Sequence, residues 1–115
     1  MLPDPSSLAP NYTGKTCIGD KVKGKINGVD SEVFIYNISD HEDAYNEVGS
    51  QGISYTAGVP PVAAAMLVAT GEWDAGKMVN VEELDAKPCI NLLNEIGLPT
   101  RIKDSEGDRA LEFTI

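Results

Sequence analysis

The chain has 115 residues, 18 Asp and Glu against 9 Lys and Arg, a net charge of −9 and 42% apolar residues. This is the length of one domain with material for a modest core. The acidic balance argues against nucleic acid as a partner, because no basic cluster with interleaved aromatics interrupts it; either the charge serves solubility or it favours a cationic small molecule.

Residues 1–14 contain Pro3, Pro5 and Pro10 and predict an extended lead-in, with residues 15–115 as the domain proper. Prolines stand where a secretory leader would need an apolar run, and no run of 18 apolar residues follows. The expectation is a soluble, cytoplasmic chain with no membrane partner. From Lys15 the pattern alternates: Val22, Gly24 and Ile26 point one way, Lys21, Lys23 and Lys25 the other, the period of a half-buried strand. Asn27-Gly28 is a type I′ turn signal, and "EVFIYNI" supplies the return strand of a β-hairpin.

At "SDHEDAYNEV" the period changes to that of a helix. Ser39 and Glu42 match a capping box, acidic residues fill the first turn, and Ala44, Tyr45 and Val48 mark an apolar face. Gly49 and Gly52 weaken a helix by roughly 1 kcal/mol each relative to alanine. A further helix is expected from about Val59, with Pro60 and Pro61 in its first turn and Gly71 as its stop. Whether "SQGISYT" is a separate helical piece or part of one kinked helix stays open. Val62, Met66 and Ala69 form a stripe suited to packing against another element, inside this chain or beyond it. Trp73 is expected to lie over the end of the core. Asp85 can cap a helix with Pro88 in its first turn and Ile90, Leu93 and Ile96 inward, ending at Gly97 and Pro99. "TRIKDSEGDRALEFTI" predicts two short strands about an acidic turn. The sum is an α+β fold of hairpin, helices and hairpin.

Chemistry is thinly signalled. No nucleophile elbow, phosphate loop or dinucleotide glycine fingerprint is present. His41 is the only histidine, so neither a catalytic triad nor a two-histidine metal site is expected around it. It is either a proton carrier or a solvated residue at a helix start. Asp40, Glu42, Asp43 and Glu47 could receive an amine or simply face water. Tyr55 and Thr56, between Gly52 and Gly58, could reach a ligand, or Tyr55 could be a core aromatic. Cys17 and Cys89 lack metal-ligand spacing and read as free thiols in a reducing compartment. No metal is expected.

The stretch "YNISDHEDAYNEVGSQGISYTAGVPPVAAAMLVATGEW" resembles the C-terminal part of the saccharopine dehydrogenase family, in the branch containing carboxynorspermidine dehydrogenases. The likeness extends through "LPDPSSLAPNYTGKTCIGDKVKG" and "EELDAKPCINLLNEIGLP", whereas "RIKDSEGDRALEFTI" departs from the family pattern. The resemblance implies the substrate and dimerisation domain of a larger Rossmann-type oxidoreductase. NADP or NAD would be bound mainly by an N-terminal Rossmann domain absent from this sequence, with none bound by this piece, which would be inactive alone. The implied partners are that missing domain, a second copy in a homodimer, and a cationic diamine. The implied reaction is reductive condensation of such a diamine with aspartate semialdehyde; a saccharopine dehydrogenase of lysine metabolism and a non-catalytic oligomerisation module are the alternatives. On the same basis His41, Gln51, Ser54, Tyr55 and Thr56 would line the cleft. Gly49, Gly52, Gly58 and Pro60 would permit close approach of backbone.

Overall fold

The structure, a computed structural model, describes residues 3–114. Two long strands, β1 (Lys15–Ile26) and β2 (Val29–Asp40), are followed by α2 (His41–Val48), α3 (Gly52–Thr70) and α4 (Ala86–Glu95). Strands β3 (Thr100–Asp104) and β4 (Gly107–Ala110) complete the chain. A one-turn helix, α1 (Pro5–Leu8), comes before all of these. The strands form one antiparallel sheet in the order β1-β2-β3-β4, so the fold is α+β.

The long hairpin follows from its turn. Ile26 pairs with Val29 across Asn27 and Gly28, whose φ values of 52° and 83° are the left-handed pair that a type I′ turn needs. Register then places Ile18, Val22 and Ile26 on the same face as Val29, Val33 and Ile35. The helices occupy this face only at the far end from the turn. There Gly52 meets Ser39, and the Asn37 side chain donates to the carbonyl oxygens of Leu98 and Pro99. The expected half-burial of β1 therefore fails: Val22 is 60% and Ile26 57% exposed, because none of the described residues lies over the outer part of the hairpin. The projection also swells the molecule. Its radius of gyration is 16.6 Å, against roughly 13 Å for a compact domain of this length.

Lysines line the opposite face, as expected, and Lys21 and Lys23 both reach Glu32, at 2.7 and 3.0 Å. Further along, Tyr36 stacks on Phe34 and donates its hydroxyl to Asp108 at 2.6 Å, and Arg101 Nε donates to the same carboxylate at 3.0 Å. This network ties β2 to the last hairpin.

The core lies between α2, α3 and α4, where Ala44, Tyr55, Ala63, Leu93 and Leu98 pack together with Val59, Cys89, Leu92 and Ile96 against them. Burial raises the Cys89 thiol above its ordinary range. Trp73 is buried and donates Nε1–H to the Asp85 carbonyl, closing one end. Asp85 in turn accepts from the Lys87 N–H and caps α4.

Four local expectations are corrected. The lead-in is not extended between Pro5 and Asn11: Asp4 caps α1 through the Ser6 N–H, with Pro5 at its first position, and a 3-10 turn (Ala9–Asn11) follows. The cap of α2 is Asp40, which accepts from the Glu42 and Asp43 N–H groups; Ser39 remains in β2. Helix α3 begins at Gly52 rather than near Val59, so "GISYT", after the cap residue Gln51, joins one continuous helix with Pro60 and Pro61 in its interior. Its inward side is Tyr55, Thr56, Ala63 and Leu67, while Val62, Met66 and Ala69 face outward.

Candidate functional site

The end of β2 delivers His41 to the first position of α2, where Asp40 Oδ1 holds the following N–H groups. The chain then turns at Gly49, whose φ of 68° and N–H to the Tyr45 carbonyl at 2.8 Å terminate α2. This returns Gly52, the first residue of α3, to the foot of the sheet. A Cβ on Gly52 would stand 2.9 Å from the Ser39 carbonyl oxygen and 3.2 Å from His41 Nδ1, so only glycine leaves this junction undistorted.

The closeness serves a hydrogen bond. The Gly52 N–H donates to His41 Nδ1 at 3.0 Å, while the cap residue Gln51 offers that helix no side-chain bond. An imidazole that accepts at Nδ1 carries its proton on Nε2. His41 is 8% exposed, and the Tyr12 ring lies against it at 4.4 Å. Beside it opens a cavity of about 90 Å³ bounded by Tyr12, His41, Glu42, Tyr45, Asn46 and Gln51. Gln51, buried itself, donates to the Pro5 carbonyl at 3.0 Å, so the N-terminal turn closes one wall.

The structure thus brings together two of the five cleft residues expected from the sequence, His41 and Gln51. Tyr55 points instead toward α4. Its hydroxyl donates to Glu47 at 3.1 Å, and burial, followed by that carboxylate, raises the phenol above its ordinary range. Thr56 is buried and returns its hydroxyl to the Ile53 carbonyl of its own helix. Ser54 is exposed to solvent. Gly58 has no atom within 4 Å of a Cβ built on it, and Pro60 is half-buried. Tyr12, Tyr45 and Asn46 were missed; Tyr45 and Asn46 follow from helical spacing after His41, but nothing local to Tyr12 announces that it folds over the imidazole.

Two further surfaces are prominent. Helix α3 carries no charged residue over its 19 positions, yet Ile53, Val62, Met66 and Val68 are exposed. Its C-terminal half, with Ala64, Ala65, Val68 and Ala69, forms one wall of an open groove opposite Met78 and Val81. No group of three or more metal-ligating side chains occurs among the described residues. Nor do the residues present fit a dinucleotide pyrophosphate: no glycine-rich turn leads from strand to helix, and the Gly52 N–H at the start of α3 is taken by His41.

A four-stranded antiparallel sheet with helices at one end, and a buried histidine where sheet and helices join, defines an α+β domain. The chain belongs to the saccharopine dehydrogenase family: the family described as "Saccharopine dehydrogenase C-terminal domain" matches residues 1–98. It is 48% identical over 106 residues to a carboxynorspermidine synthase of Vibrio alginolyticus, covering 92% of this chain and 26% of that protein. Identity to the carboxynorspermidine synthase of Vibrio cholerae is 47%, with the same coverage. A carboxyaminopropylagmatine dehydrogenase of Synechocystis is 46% identical over 99 residues, or 86% of this chain and 25% of that protein. The chain therefore spans about a quarter of the length of these relatives.

Proposed function

We propose that this chain is the substrate-binding and dimerisation part of an NAD(P)-dependent oxidoreductase acting on CH–NH bonds. The reaction is the reductive condensation of a diamine with aspartate semialdehyde, in polyamine biosynthesis. The observation that carries the reading is α3. A helix apolar all round belongs inside protein, and this one is covered here on one side only. The relatives are about three and a half times as long as this chain, and the uncovered side of α3 with its groove is where a nucleotide-binding domain would seat. By length and composition alone α3 could also cross a membrane. The Tyr55–Glu47 bond and the anchoring of Gly52 to the sheet favour a core helix instead.

The apolar face of the projecting hairpin, with Val22, Ile26 and Val29 exposed, supplies the surface for a second copy. Nucleotide binding and hydride delivery belong to the portion outside this chain, so the 115 residues alone turn nothing over. The Synechocystis relative has agmatine in its name where the Vibrio proteins have norspermidine, so the amine is the element an assay must vary.

The test is a chimera in which this chain replaces the corresponding quarter of the Vibrio cholerae carboxynorspermidine synthase. NADPH oxidation should require aspartate semialdehyde together with 1,3-diaminopropane, putrescine or agmatine. A folded chimera that oxidises NADPH with none of these amines overturns the reading. So does tight NADPH binding by this chain alone in calorimetry.

A further inference from the structure

The cavity beside His41 can be read for the sign of its occupant. Nδ1 is engaged by the Gly52 N–H, so Nε2 bears hydrogen and is a donor. Among the described residues Nε2 meets no hydrogen-bond partner, although the residue is 8% exposed and no buried side-chain polar atom is left unsatisfied. Nε2 is therefore open to solvent, and the cavity that His41 lines is the space beside the ring. A donor at that point selects an oxygen acceptor and turns away an ammonium group. Asn46, on the same wall, can donate from its amide as well. The acceptors lie close by: Glu42 carries a carboxylate whose oxygens make no hydrogen bond among the described residues, and Gln51, having donated Nε2–H to Pro5, retains Oε1.

A cavity with a fixed donor and nearby anionic and amide acceptors suits a small zwitterion. Its volume of about 90 Å³ has room for a few ordered waters or for an amino-acid head group. We propose that this cavity holds the α-amino-acid head of the substrate, its carboxylate on His41 Nε2–H and its ammonium toward Glu42. The diamine then approaches from elsewhere. The proposal names the part of the substrate that this chain grips, and it rests on the reading above for the rest of the reaction. In it His41 is a binding residue with a second task, since the same ring caps α3.

The single histidine makes the test direct. In this chain, long-range proton–nitrogen spectra of the imidazole report Nε2 without overlap. L-Aspartate should shift the Nε2 signal and leave the Nδ1–Gly52 bond in place, and 1,3-diaminopropane should not shift it. Because His41→Gln removes the cap of α3 and can unfold the chain, the variant of choice is Glu42→Gln, whose side chain holds nothing else. It should weaken L-aspartate about tenfold and change binding of succinate, which lacks the ammonium, by less than about twofold. An imidazole that responds to the diamine and not to L-aspartate, or to neither, overturns the proposal. So does an unchanged L-aspartate affinity in Glu42→Gln. An active chimera whose His41 ignores L-aspartate defeats this inference alone, whereas L-aspartate binding beside an inactive chimera defeats only the assignment of the reaction.

Discussion

Replacing Gly97 with alanine tests how tightly α4 is joined to α3. Gly97 follows α4 with φ of 97°, and a Cβ there would lie 2.5 Å from the Tyr55 hydroxyl. The positive φ costs an L-residue roughly 1–2 kcal/mol. The phenol must also swing aside and release Glu47, a bond to a partly exposed carboxylate worth about 1 kcal/mol. The expected loss is therefore about 2–3 kcal/mol, readable as a lowered midpoint in urea at an unchanged slope. Tyr55→Phe supplies the control. It removes the obstructing oxygen and leaves the ring carbon at 3.7 Å, an ordinary contact. In the double variant alanine keeps its backbone cost but meets no clash, so the two losses should fall short of additivity by about 1 kcal/mol. Additive losses would show that the Tyr55 hydroxyl does not limit what can stand at position 97.

Three other outcomes are expected. Gly52→Ala forces the start of α3 away from the Ser39 carbonyl and should cost about 1–3 kcal/mol, with a changed His41 Nδ1 signal in the imidazole spectrum as the independent sign that the cap is lost. Arg109 grips Asp104 through two bonds of 2.8 Å and, with the Glu106 N–H, lowers that carboxyl from the ordinary 3.8 to about 2. Its contribution is thus full above about pH 4 and lost as pH falls through about 2, and Asp104→Asn should flatten that segment of the acid-unfolding curve. Val68→Asp, at a position 61% exposed, should alter the stability of this chain by no more than about 0.5 kcal/mol. In the chimera it should sharply reduce NADPH oxidation, and full activity there would argue against α3 as the docking surface.

What the sequence discloses follows the range of the interactions involved. The Asn27-Gly28 turn and the alternation around it are local, and both strands follow from them. Asp85 and Gly71 likewise mark helix ends through their own backbone. The start of α3 was misplaced because Pro60 and Pro61 are local signals for a first turn, whereas packing of Tyr55 and Ala63 against α2 and α4 holds the helix continuous through them. The cap of α2 moved from Ser39 to Asp40 because β2 runs one residue further, its last pair being Asp40 with Lys15. The exposed side of β1 is a different kind of case. Its alternation predicts half-burial, whereas no described residue covers that face. At the site, His41 and Gln51 are named through resemblance, and their meeting depends on the chain reversal at Gly49 and on contacts 11 and 46 residues apart in sequence.

The outermost strand has one more consequence. β1 is an edge strand of 12 residues, and every second residue directs its N–H and C=O away from the sheet, an invitation to zip onto any neighbouring strand. Its comb of Lys21, Lys23 and Lys25 answers that hazard: a second β1 drawn alongside would set ammonium groups nearly opposite ammonium groups, which strand pairing does not tolerate well. Growth of the sheet from copy to copy into a fibre is discouraged. The dimer proposed above would use the aliphatic side instead, leaving this edge unpaired.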